Sequence, residues 1–242
     1  MRKSTPKSAA TARLFEDLAA ANRILAAHGV LDGYGHVSLR SPLRADRYFL
    51  ARSIAPESVS AGDIMEFDLD SDPLQQRGRA MYLERFIHGE VYRARPDVNA
   101  VVHNHSPSVI PFGVTTVPLR PLYHMCGFVG AGIPVFEIRD AGGPATDMLV
   151  RDRPLGRALA QTLADKPAAL MRGHGAVVVA ASLPLAVARS VYLELNARLQ
   201  MQAMAIAGPG GKVNYLSSGE AEAATAALGD FGRAWELWRG KA

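Results

Sequence analysis

Three histidines, two of them almost adjacent, carry the strongest chemical signal in this 242-residue chain. His103 and His105 lie two residues apart in the run Ala100-Val-Val-His-Asn-His105. Alternate side chains of a β-strand leave the same face, so both imidazoles can converge on one ion. Neutral imidazole nitrogen suits zinc, manganese, iron or cobalt, and a catalytic site of this kind commonly has three protein ligands and an open position. An isolated His-x-His is also an ordinary polar strand edge, so the pair needs a further ligand before it becomes a site. His174 is a candidate, because it stands between Gly173 and Gly175 just before an apolar strand. Glycines there permit a tight turn and a close approach of the backbone. Spacing alone does not show that His174 meets the other two.

The elements that must position these residues are read from periodicity and punctuation. Leu14, Leu18, Ala21 and Leu25 recur at helical spacing with Gly29 behind them, which predicts a helix from Leu14 to His28. Residues 1–12 mix basic and small polar residues and read as a mobile tail. Residues 13–242 then form one catalytic domain, with a C-terminal tail from about residue 208. The pieces His36–Arg40, Tyr48–Ala51 and Ile64–Asp70 are separated by Pro42, Pro56 and Gly62 and read as strands of an antiparallel or mixed sheet. A helix over Tyr82–Ala94 ends at Arg95-Pro96-Asp97, since the residue before proline is pushed away from the α conformation. Ala100–His105 follows as a buried strand, and Gly132–Ile138 as another. Leu155–Leu163 is an amphipathic helix, and Ala168–Met171 and Ala176–Ala180 form a hairpin-like unit around His174. A long helix over Pro184–Met204 is stopped by Gly208-Pro209-Gly210-Gly211, and the end of the chain predicts one terminal helix.

Composition narrows the function classes. With 48% hydrophobic residues the chain can bury one large core. Lys and Arg total 27 against 23 Asp and Glu, but the basic residues are scattered. Nucleic-acid binding needs a clustered basic surface, so a small anionic substrate fits the charge better. The single cysteine, Cys126, cannot form an internal disulfide, and no leader pattern opens the sequence, so a reducing cytoplasm is expected. No apolar run approaches the roughly 18 residues of a membrane span.

The run Arg95-Pro-Asp-Val-Asn-Ala-Val-Val-His-Asn-His105, with Glu84 on the preceding helix and His174-Gly175 downstream, resembles the class II aldolase/adducin family over about residues 14–205. The resemblance implies an α/β fold of three αβα layers, with a central mainly antiparallel sheet flanked by helices. It implies one divalent metal ion, zinc or manganese with iron or cobalt as alternatives, held by His103, His105 and His174. It also implies that Glu84 is the catalytic acid/base beside that ion. Taken alone, Glu84 reads as an ordinary first-turn acid favoured by the helix dipole. His88 and Tyr92, on the same helical face as Glu84, read as support for the site or the core. His124, after Tyr123, lies where relatives contribute a side chain from the adjacent subunit. It is therefore the second candidate proton donor, with an interface hydrogen bond as its other reading. A homotetramer with active sites between subunits is expected.

Sugar-phosphate aldolases of the family hold the phosphate with a Gly-Asn-x-Ser turn, a Thr-Gly pair and a Ser-Ser pair before the catalytic glutamate. This chain has Gly35-His36-Val37-Ser38, Arg52-Ser53 and Tyr82-Leu83 instead. Arg52 offers a planar fork for a carboxylate, and His36, Ser53, Tyr82 and Tyr123 complete the expected substrate-binding set. The departures resemble the family's decarboxylase branch, which acts on hydroxylated aromatic or pyridine carboxylates. The expected function is a metal-dependent carbon–carbon lyase that decarboxylates such a substrate. Aldol cleavage of an unphosphorylated hydroxy-keto acid is the alternative, and a non-catalytic adducin-like interaction module is the rival from another class. Both reactions leave electrons on carbon that must be delocalised into an oxygen held by the metal.

Overall fold

The computed structural model describes residues 6–242. Helix α1 spans Pro6–Ala27 and so begins before the first apolar repeat. Residues 6–12, read above as tail, belong to it, while 1–5 lie outside the described residues. The reason is propensity without amphipathicity: Ser8-Ala9-Ala10-Thr11-Ala12 is alanine-rich but shows no apolar stripe.

Seven strands follow: β1 (His36–Arg40), β2 (Arg47–Ala51), β3 (Ile64–Asp68), β4 (Ala100–Asn104), β5 (Val135–Phe136), β6 (Ala168–Met171) and β7 (Gly175–Ala180). They form one sheet in the order β3-β2-β1-β4-β7-β6-β5. Every pairing is antiparallel except β5 with β6. The strand expected over Gly132–Ile138 shortens to two residues, because Pro134 offers no backbone donor and a helical turn begins after Ile138. The remaining helices are α2 (Phe86–Ala94), α3 (Ile110–Val114), α4 (Arg139–Gly142), α5 (Arg153–Leu163), α6 (Leu183–Ala207), α7 (Ser218–Leu228) and α8 (Gly232–Arg239). The C-terminal region thus holds two helices where the sequence predicts one. Gly229 and Phe231, both at positive φ (60° and 59°), turn the chain between them.

All residues of β1, β4 and β7 are buried; β7 and the first half of β4 are continuous apolar runs, whereas β1 alternates apolar with polar residues. Such strands need cover on both faces. Helices α1, α6 and α8 pack together, α1 on β1 and α6 on β4 and β7. Helices α2 and α5 pack on each other, and reach β4, β5 and β6. The strand pleat turns Val37 and Leu39 into the apolar core and sends Ser38 and Arg40 toward α2. Ser38 Oγ lies 2.8 Å from the Tyr92 hydroxyl, and the Arg40 guanidinium sits 4.6 Å from the Tyr92 ring centre. Arg40 donates to the carbonyls of Val98, Ala45, Tyr92 and Arg95, which satisfies a nearly buried cation without a carboxylate.

Gly175 opens β7 where β4 passes closest, and a Cβ there would drive into the Asn104 carbonyl oxygen. Gly219, in the first turn of α7, has open space around it. Gly175→Ala is expected to destabilise the fold by about 1–3 kcal/mol through overpacking. Gly219→Ala is expected to stabilise it by about 0.4–1 kcal/mol by restricting the unfolded chain. Thermal melts check the pair, with about 2–4 °C expected per kcal/mol at this chain length.

Candidate metal centre

Residues distant in sequence meet because β4 and β7 are neighbours. Their register sets His103 opposite Val177 and Asn104 opposite Ala176, so the end of β4 and the start of β7 lie side by side. His105 follows β4 directly, and His174 precedes β7 in a turn where Gly173 takes a φ of 63°. Glu84 sits in a single 3-10 turn before α2, with φ −89° and ψ 20°. That sparsely populated bridge conformation aims its side chain at the strand ends. One donor atom from each of Glu84, His103, His105 and His174 then lies within 4.8 Å of the other three.

The hydrogen bonds around these four assign their free electron pairs. The His105 Nδ1–H donates to Asp32, whose two oxygens lie 3.2 Å away. The His174 Nδ1–H donates to the Met148 carbonyl at 2.8 Å. In neutral rings both Nε2 atoms are therefore lone pairs, and they face each other across 3.1 Å. Glu84 Oε2 stands 3.3 Å from His103 Nε2 and 3.4 Å from His174 Nε2. The buried His103 has no geometrically satisfactory hydrogen bond at either ring nitrogen. Lone pairs packed this closely repel unless a positive charge lies among them. Three imidazole nitrogens and one carboxylate oxygen are a donor set suited to a divalent transition metal or zinc, so the residues present fit the implied ion.

Electrostatics agree with the demand for a cation. Burial works to raise the Glu84 carboxyl, but His103 and His174 outweigh it and hold it well below the usual carboxylate range. Burial works to lower His174, and Glu84 with the Met148 carbonyl outweighs it in the other direction. For His103 burial prevails over Glu84, and the net shift is downward.

Much of the bracing was not visible in the sequence. Met148 takes a positive φ of 71°, and its carbonyl accepts from His174, as just described. Two residues on, the Val150 N–H donates to Glu84 Oε1 at 2.9 Å. One short loop between α4 and α5 thus orients two of the four donors through backbone atoms, for which side-chain identity is no signal. Asp32, beyond α1, also accepts from the N–H groups of Tyr34 and Gly35. Its carboxylate is fixed before it meets His105, and only the Asp32-Gly33 turn pair hinted at it.

The expected substrate residues divide into two groups. His36 is buried, its ring centre 4.4 Å from that of Tyr82 and 5.1 Å from that of His103, so these two form an aromatic wall beside the donors. The Tyr82 hydroxyl donates to the Ile54 carbonyl at 2.5 Å, and burial pushes its pKa up to about 12. Arg52 spends its Nε on Asp63 at 2.6 Å, which occupies one side of its fork. Ser53 is exposed and is held by its N–H on the Ala80 carbonyl. Tyr123 and His124 follow a segment that Asn196 and Gln200 of α6 hold through backbone groups of residues 118–122. His124 is exposed and outside the donor group.

His88 and Tyr92 have a more definite place than general support. His88 is wholly buried, with Nε2 2.7 Å from His36 Nδ1 and Nδ1 2.6 Å from Ser38 Oγ. Burial first, and the neighbouring His103 next, push the His88 pKa down to about 3. Burial likewise holds His36 well below its ordinary value.

Residues 16–201 match the family described as Class II Aldolase and Adducin N-terminal domain. Decarboxylase tropJ of Talaromyces stipitatus is 38% identical over 208 residues, covering 81% of this chain and 78% of the relative. The 3,4-dihydroxyphthalate decarboxylase of Arthrobacter keyseri is 34% identical over 206 residues, covering 80% and 79% respectively. Among solved structures, L-fuculose 1-phosphate aldolase from Glaciozyma antarctica PI12 superposes with a TM-score of 0.79 at 20% identity, covering 99% of this chain and 94% of that one. That last likeness speaks to the fold. The matched family, the two decarboxylase relatives and the mainly antiparallel seven-stranded sheet agree. The chain belongs to the class II aldolase and adducin N-terminal domain family.

Proposed function

We propose that this chain is a divalent-metal-dependent carbon–carbon lyase that decarboxylates a hydroxylated aromatic carboxylate. The observation that carries the reading is the close group of Glu84, His103, His105 and His174 with its facing lone pairs, in a chain whose relatives include named decarboxylases. A cation bound there supplies Lewis acidity, stabilising the negative charge that develops on a substrate oxygen as the carbon–carbon bond breaks. Zinc and manganese both suit the donors. The neutral wall of His36 and Tyr82 gives a planar ring a surface to lie against. The two Nη groups of Arg52 remain beyond the Asp63 contact and can receive a carboxylate.

After carbon dioxide leaves, the ring carbon needs a proton. Glu84, ionised in the resting site, can take the proton of the substrate hydroxyl as the substrate binds and return it to that carbon, with Oε1 anchored on Val150 and Oε2 turned into the donor group. His124 lies outside the donor group of its own chain, so its role goes with the proposal of a homotetramer in which Tyr123 and His124 cross to the adjacent subunit. Aldol cleavage of an unphosphorylated hydroxy-keto acid would use the same donors. The decarboxylase reading is preferred because His36, Arg52 and Tyr82 replace the small phosphate-binding residues. No described helix is long and apolar enough to cross a membrane.

Three outcomes are expected. Protein purified without added metal carries about one divalent ion by elemental analysis; His103→Ala loses it, and Asp32→Asn weakens metal affinity about 10–100-fold by freeing the His105 ring. An ion-free parent would favour the adducin-like interaction module. A screen of dihydroxyphthalates and related hydroxybenzoates releases carbon dioxide; formation of aldehyde or keto-acid fragments without carbon dioxide would establish the aldolase alternative. Glu84→Gln lowers turnover about 10²–10⁴-fold, the range for loss of a general acid or base. If His124→Ala does so while Glu84→Gln is mild, the proton comes from the adjacent subunit.

A further inference from the structure

Behind the aromatic wall runs a buried polar chain: His36 Nδ1 to His88 Nε2 at 2.7 Å, His88 Nδ1 to Ser38 Oγ at 2.6 Å, and Ser38 Oγ to the Tyr92 hydroxyl at 2.8 Å. It ends with the Tyr92 hydroxyl donating to the Asn99 carbonyl at 3.4 Å. His36, Ser38, His88 and Tyr92 are all at most 2% exposed. Neither imidazole in the chain is hydrogen-bonded to a carboxylate, so both rings are neutral and each carries a single N–H.

A chain of neutral donors and acceptors can run in only two directions. In one, His36 Nδ1–H donates to His88, His88 Nδ1–H to Ser38, Ser38 to Tyr92 and Tyr92 to Asn99. Every proton then has an acceptor within the protein, and the unpaired atom is the lone pair on His36 Nε2. In the other, Tyr92 donates to Ser38, Ser38 to His88 and His88 to His36. That direction leaves the His36 Nε2–H without an acceptor among the described residues and gives up the bond from Tyr92 to the Asn99 carbonyl. The first direction therefore makes one more hydrogen bond within the protein, and the carbonyl that ends the chain accepts and never donates.

We infer that the His88–Ser38–Tyr92 chain fixes His36 as the Nδ1–H tautomer, so that its Nε2 is an obligate hydrogen-bond acceptor that selects substrates bearing a ring hydroxyl. The inference rests on the decarboxylase reading for the class of substrate, and on the hydrogen-bond chain alone for the tautomer. His36 is then the residue that touches the substrate, and His88, Ser38 and Tyr92 are positioning residues. The metal donors recognise any chelating carboxylate, whereas this nitrogen accepts only from a group that can donate. A hydroxyl therefore binds more tightly than a hydrogen at the same ring position.

The direct test is the tautomeric state of the two rings in the zinc-loaded full chain, read from ¹⁵N–¹H long-range correlation spectra of histidine-labelled protein and assigned with His36→Asn. Both rings are expected as Nδ1–H, and Nε2–H at either ring overturns the assignment. Tyr92→Phe conserves volume but removes the acceptor for Ser38, whose hydroxyl then turns to His88 Nδ1 and drives both rings toward Nε2–H; an unchanged spectrum would show that the chain does not set the tautomer. In calorimetric titrations, 2,3-dihydroxybenzoate is expected to bind about three- to tenfold more tightly than 2-hydroxybenzoate, the worth of one neutral hydrogen bond. That preference disappears in Tyr92→Phe. Equal binding in the parent overturns the hydroxyl selection. If neither compound binds, the selection falls with the substrate reading, while the spectra still decide the tautomer.

Discussion

A cluster of electron-pair donors is stable in a protein interior only if positive charge lies among them, and that constraint organises this molecule. His105 and His174 each commit Nδ1–H to a fixed acceptor, so their Nε2 atoms meet across 3.1 Å with no proton of their own to share. Glu84 adds an anionic oxygen 3.3–3.4 Å from His103 and His174. Left to itself the group would spread apart or take up a proton. A divalent ion relieves the repulsion and turns it into coordination, which is why preorganised donors of this kind favour binding.

The scaffold keeps the donors from spreading. Two of them leave the end of β4 and one precedes β7, and the antiparallel ladder between these strands is buried along its full length. Gly175 lets β7 approach the Asn104 carbonyl more closely than any side chain would allow. Glu84 is held from the other face by the turn that opens α2, and α2 is locked to α5 through Glu90, whose nearly buried carboxylate meets Arg153 at 3.0 Å. A movement of any one element would therefore cost core contacts as well as a donor.

The same α2 that carries Glu84 at its entry carries His88 and Tyr92 on one face, at helical spacing. Those residues meet His36 and Ser38, alternate residues of β1 that project to the same side of the sheet. Helical and strand periodicities thus interlock to build a polar seam beside the donors, lined on its far side by Tyr48 and Arg40. The seam explains why this part of the interior is so rich in buried polar groups: each has a partner within it, and burial is tolerable on that condition.

Most of the elements were legible in the residues alone, because helical and strand periodicity, glycine stops and the Arg95-Pro96 boundary are local properties. The sequence also marked His103 and His105 as a pair, since spacing of two on a strand is a local geometry. The family motif supplied His174 and Glu84, which no spacing rule joins to that pair. The convergence of all four donors came from the folded chain, because it depends on the register of β4 against β7 and on the bridge conformation of Glu84. The fold alone placed Arg52 on Asp63 and left His124 outside the donor group. The braces from Met148 and Val150 were illegible for a physical reason: they act through a carbonyl and an N–H that every such residue possesses, so only the path of the backbone reveals them.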